Sequence, residues 1–78
     1  MSSMFELNRL PVGQSAYVTA LALEGPIRRR MMDLGLVQGT QVEAVMSSPS
    51  GDPVAYGIRG AVIALRSEDA RQILVQQS

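Results

Sequence analysis

Three successive arginines, Arg28-Arg29-Arg30, form the densest charge in the chain. Guanidinium groups hold phosphates and carboxylates through forked hydrogen bonds and stay charged when desolvated. A nucleic-acid patch would interleave them with aromatics on a basic chain, whereas this chain sets seven Asp and Glu against its seven cations. An arginine finger reaching into a partner's nucleotide site is chemically allowed, but such residues usually sit on exposed loops. Two readings stand side by side. One is a solvated helix face; the other is a protein-docking face in which Arg28 and Arg29 are joined by Met32 and Leu36.

The other chemistry-bearing residues offer less. Met31-Met32 has the donors for a soft metal, but helical spacing assigns Met31 to a core and Met32 to a surface or interface. Glu68 and Asp69 are the only adjacent carboxylates, and acids at a helix start serve the helix dipole before they serve a hard cation. The glycines match neither a P-loop nor a dinucleotide fingerprint, and the chain has no Lys to reach a phosphate. It has no Cys and no His, which removes disulfides, thiolate chemistry, the usual zinc ligands and imidazole catalysis. With no nucleophile–base pair, the expectation is a binding module and not an enzyme, with no catalytic residue, no cofactor and no metal ligand.

The elements that must position these residues belong to one domain, residues 1–78. A chain of this length buries only roughly 60% of its unfolded surface, so the core is small. Its hydrophobic content of 46% argues for a folded globule. One Phe, two Tyr and no Trp disfavour carbohydrate binding and base stacking. All seven cations are Arg, a bias that genome composition explains better than interface chemistry does. The N-terminus lacks the pattern of a secretory signal, and no apolar run approaches the ~20 residues that span a bilayer. A soluble cytoplasmic protein is expected.

Taken in order, residues 1–8 should be partly frayed, with Phe5 and Leu7 available to a neighbouring surface. Leu10-Pro11-Val12-Gly13 is a turn. Residues 15–23 are a first strand, ended by Glu24-Gly25-Pro26. Pro26 suits the first helical position, and Ile27, Met31 and Leu34 form one apolar stripe. Gly35 stops the helix in the left-handed region and Leu36 folds back onto its last turn. After a turn at Gly39, residues 40–46 form a strand with Val42, Ala44 and Met46 on one face. Residues 47–53 are an exposed hairpin loop. Val54, Tyr56 and Ile58 alternate in a third strand, where Gly57 marks a bulge or a close backbone approach. Arg59-Gly60 turns into a fourth, residues 61–65, with Ile63 and Leu65 inward. Ser67 caps a short helical turn, and residues 73–75 close the structure. The expected fold is mainly β: a small, strongly bent five-stranded barrel with one short helix after the first strand.

Several of these segments together resemble the FeoA family of small ferrous iron transport proteins. They are Arg30-Met31-Met32-Asp33, Leu34-Gly35-Leu36 with Gly39, Gly51-Asp52-Pro53-Val54, Ile63-Ala64-Leu65-Arg66 and Ile73-Leu74-Val75. The likeness runs from about Leu10 to Val75, and its specificity lies in the order and spacing of the segments. Gln38 departs from it, standing where the family often has Pro before the turn glycine. The resemblance implies an SH3-like barrel and a non-enzymatic accessory or regulatory role in bacterial ferrous iron uptake. It implies docking on the cytoplasmic GTP-binding region of the FeoB membrane permease, which would recruit the protein to the inner face of the membrane without insertion. No nucleic-acid partner is implied. The candidate contacts are Arg28, Arg29, Met32 and Leu36, followed by Ser50 and Asp52 of the hairpin loop. The alternative is a metal-responsive or transcription-regulatory module related to the C-terminal domain of iron-dependent repressors. The lack of His and Cys speaks against a tight transition-metal site there. An SH3-like polyproline binder is a third reading, weakened by the scarcity of aromatics for a groove.

Overall fold

A computed structural model of the chain describes residues 3–77. Six strands share one antiparallel sheet: β1 (Met4–Glu6), β2 (Ser15–Leu21), β3 (Gln41–Ser47), β4 (Val54–Ile58), β5 (Ala61–Leu65) and β6 (Ile73–Gln76). Helix α1 (Gly25–Asp33) lies between β2 and β3, and the one-turn α2 (Ser67–Ala70) between β5 and β6. The strand order is β1-β6-β2-β3-β4-β5. The mainly β fold with one short helix after the first long strand agrees with the sequence reading, but the strand count and closure do not. There are six strands, and the sheet leaves β1 and β5 as its two edges.

The extra strand is the N-terminal one. Residues 4–6 are paired with β6, Met4 opposite Gln76 and Glu6 opposite Leu74. The 3₁₀ turn Leu7–Arg9 that follows drives Leu7 to 0% exposure. The frayed start expected from the sequence is therefore corrected from residue 4 onward; Met1 and Ser2 lie outside the described residues. A three-residue strand has no local periodicity, and its partner is at the far end of the chain. β6 is accordingly interior, between β1 and β2, with Ile73 and Val75 fully buried.

Alternation places Ala16 and Val18 of β2, Val42 and Ala44 of β3, and Tyr56 and Ile58 of β4 in the core. Met46 breaks the pattern expected for β3 and is 61% exposed. The β3–β4 register shifts between Ala44 and Met46, so Val45 is an extra residue that turns Met46 outward. The bulge thus sits at Val45 and not at Gly57. What approaches Gly57 is a side chain and not backbone: a Cβ there would lie 3.3 Å from Val45 Cγ2.

One end of the sheet is covered by the 3₁₀ turn, α2 and the 48–53 loop. The Tyr56 hydroxyl donates to Leu7 O at 3.5 Å, and Asn8 Nδ2 donates to Ser67 Oγ at 3.1 Å. Asp52 Oδ1 accepts the Ser67 backbone N–H at 2.8 Å. The helical turn expected at Ser67 is present, but its side chain is not the cap; the loop aspartate satisfies the free N–H from across the fold. Asp52→Ala should cost about 1 kcal/mol in a urea titration, while Asp52→Asn, which keeps an oxygen acceptor, should recover most of it.

Burial raises the pKa of the Tyr56 hydroxyl above its ordinary 10.0, and the Asp52 charge adds to the shift. A raised acid pKa means that the folded state keeps its proton where the unfolded state has lost it. This contribution to stability is complete below pH 10.0 and is lost as pH rises from there through the folded pKa. Urea midpoints should therefore fall in strongly alkaline buffer, and Tyr56→Phe should flatten that slope.

Candidate docking cleft at helix α1

Helix α1 has nine residues, too few to be stable alone, so its anchors decide where its side chains point. At its C-terminus Gly35 has φ +97°, and Leu36 follows. Gly35 N–H donates to Met32 O at 3.0 Å and Leu36 N–H to Met31 O at 2.9 Å. That is a Schellman stop, and the two residues at its apolar positions, Leu36 and Met31, are both buried in the core cluster. The next turn is held by Thr40, whose Oγ1 donates to Gly35 O at 2.8 Å and accepts from Val37 N–H at 3.2 Å. Gly39, with φ +89°, donates to Val18 O at 2.7 Å, so the turn forms with Gln38 in the position before it.

Gly35 also makes room for a side chain from another element. A Cβ there would lie 2.7 Å from Arg59 Cδ, in addition to straining a left-handed backbone. Gly35→Ala should cost about 1–2 kcal/mol from the backbone conformation alone. Thermal denaturation should show a similar loss for Gly39→Ala, whose backbone is equally left-handed, because the exposed Arg59 side chain can swing off Gly35.

At the N-terminus, β2 runs out at Leu21, opposite the first residue of β6, two residues earlier than expected. Arg28 Nη1 donates to Leu21 O at 2.9 Å and to Leu23 O at 3.5 Å. Arg28 is half-buried and ties the first turns of α1 to the end of β2. Arg29 has the same chemistry but a different position: it is exposed and has no ion-pair partner among the described residues. Met32, three residues on, is 44% exposed.

Gly25, Pro26, Arg28, Arg29 and Met32 line a cleft of about 610 Å³. It opens at the start of α1, where free N–H groups and the helix dipole favour negative charge. No acidic residue occupies that first turn; the N-cap residue, Glu24, is exposed and its side chain makes no cap hydrogen bond. Two guanidiniums and the helix dipole make the cleft positive, offset in part by the Glu24 carboxylate at its edge, with Met32 as its apolar wall. Sequence reasoning treated Gly25 and Pro26 only as a helix start, yet they form one side of it.

The sequence-predicted contacts do not all gather here. Arg28, Arg29 and Met32 do. Leu36 does not, because it is 0% exposed; the fold-back that ends the helix carries it into the core, so its reading as a contact is corrected. Ser50 and Asp52 are exposed but are not among the residues lining the cleft. Ser50 Oγ donates to Asp52 O at 3.0 Å and lies 3.3 Å from Ser48 Oγ, while Asp52 is engaged with α2. That loop is tied internally, with backbone bonds from Gly51 N–H to Ser48 O and from Ser48 N–H to Pro53 O.

Among the described residues, no three His, Cys, Asp or Glu side chains come together as a metal site. No buried side-chain N or O among them lacks a hydrogen-bond partner. No helix among them is long and apolar enough to cross a membrane.

Comparison with known proteins bears on this arrangement. The FeoA domain model matches residues 5–77. A Fe(2+) transport protein A/Fe(2+) transporter FeoB fusion protein of Porphyromonas gingivalis is 34% identical over 70 residues, covering 90% of this chain and 8% of the fusion. The solution structure of a FeoA protein from Chlorobium tepidum has a TM-score of 0.89 at 37% identity, covering 94% of this chain and 70% of that one. The zinc-complexed crystal structure of Stenotrophomonas maltophilia FeoA, described as a prokaryotic SH3 domain protein, has a TM-score of 0.80 at 32% identity. It covers 91% of this chain and 88% of that one. The segments singled out in the sequence, the SH3-like sheet with its single intervening helix, and a family model spanning nearly the whole chain agree: the chain belongs to the FeoA domain family.

Proposed function

We propose that this protein is a non-enzymatic accessory factor of ferrous iron uptake that docks on the cytoplasmic GTP-binding region of a FeoB permease through the α1 cleft. The observation that carries this reading is the fusion in Porphyromonas gingivalis, in which a related domain and a FeoB transporter share one chain. A covalent link holds two partners at high effective concentration, which is useful where the separate parts associate weakly. The cleft supplies complementary chemistry: two guanidiniums at the positive end of a helix beside a half-exposed methionine suit an acidic segment carrying one apolar anchor. In this reading the protein acts at the cytoplasmic face of the membrane, held there by its partner.

The test is capture of FeoB from detergent-solubilised membranes on the immobilised chain, with and without guanine nucleotide, together with ferrous iron uptake in a deletion strain. Retention of FeoB in either nucleotide state and impaired uptake restored by the wild-type gene are expected. No retention in any state, with normal uptake in the deletion strain, would contradict the proposal.

A further inference from the structure

The two edges of the sheet are built differently. β1 is three residues long, ends at Glu6, which pairs with Arg9 at 3.6 Å, and runs straight into a 3₁₀ turn. Charge and brevity are the usual protection of an edge strand. β5 has neither. Its five residues, Ala61–Leu65, carry no charge, no proline and no bulge, and they pair only with β4.

The turn at Arg59-Gly60 fixes which backbone groups face outward. Ile58 lies opposite Ala61 across a two-residue loop, with positive φ at both loop residues. That makes Ile58–Ala61 a hydrogen-bonded pair. Alternation then directs the N–H and C=O of Ala61, Ile63 and Leu65 to β4, and those of Val62 and Ala64 to the open edge. The side chains of Val62 and Ala64 are exposed as well, Val62 at 64%.

We infer that β5 is a self-association edge, pairing antiparallel with β5 of a second copy about a two-fold axis at Ile63. This geometry hydrogen-bonds Val62 to Ala64 of the second copy and the reverse, so each large side chain lies beside a small one. It also continues a row already present on the outer face. Met46, Ala55 and Ala64 stand in register across β3, β4 and β5, and Val62 of the second copy extends that row. Arg66 falls opposite Gly60 of the second copy, and the Arg59 side chain lies over Gly35, so the pairing sets no like charges directly opposite one another. The contact is small beside the about 800 Å² per partner of stable complexes, so the dimer is weak and concentration-dependent. It leaves the α1 cleft outside the pairing and is independent of any permease contact.

Sedimentation equilibrium of the full chain from micromolar to millimolar concentration tests it, alongside V62K/A64K and V62E/A64E. Both sites are exposed, and circular dichroism checks that each variant stays folded. Reversible dimerisation of the wild type is expected, with association of either variant alone weakened by about tenfold or more and restored when the two variants are mixed. A wild type that stays monomeric at millimolar concentration overturns the inference, and so does a dimer that persists in V62K/A64K. Loss of association without restoration on mixing overturns the two-fold register.

Discussion

Leu36→Ala is expected to lower the unfolding free energy by about 2–5 kcal/mol, the range for deleting a buried leucine side chain. At 0% exposure, all of the lost surface comes from the core. A domain of this size holds only about 4–12 kcal/mol at ordinary stability per residue, so the change removes a large share of the total. The backbone bond from Leu36 N–H to Met31 O survives the change, but the core cluster that holds Met31 loses a side chain at the end of α1, so the helix should loosen before the sheet does. Urea titration followed by far-UV circular dichroism measures the loss. Were Leu36 a docking residue, stability would change little and only partner binding would fall.

The opposite pattern is expected for Arg29→Glu combined with Met32→Ser. Both side chains project from α1 into solvent and neither is needed to hold it, since the anchors are Arg28 at one end and Met31 with Leu36 at the other. Substitutions at such positions change stability within about 0.5 kcal/mol. Binding should respond strongly. The Glu replaces an attractive charge with a repulsive one, and the Ser removes apolar area that docking would cover. Affinity for FeoB should fall by about tenfold or more in an equilibrium titration, with the thermal midpoint unchanged. Arg28→Glu would be a poor substitute, because it also strands the Leu21 carbonyl and so mixes a stability effect with a binding effect.

Leu36, Arg29 and Met32 differ in how far their surroundings could be read from sequence. The end of α1 was legible: a glycine after an apolar stripe, followed by a leucine, is a local signal for a Schellman stop, and it formed with the expected bonds. The same signal implied that Leu36 packs inward, and its reading as a docking residue conflicted with that. Arg28 and Arg29 are indistinguishable in sequence. They part only because β2 stops at Leu21 and leaves carbonyls within reach of one guanidinium. Met46 faces out because of a register shift against β4, and period-two counting within β3 cannot see a partner strand. β1 and the Asp52 cap on α2 share that character. Each joins segments far apart in the chain, so neither leaves a mark in its own neighbourhood.

The most direct measurement of the central claim, that the α1 cleft is the docking surface, is site-specific photo-crosslinking in cells that express FeoB. A photoreactive residue is placed in turn at Met32 in the cleft and at Ser50 in the hairpin loop, both exposed. An adduct with FeoB is expected from position 32 and none from position 50. An adduct from position 50 alone, or from neither position, would contradict it.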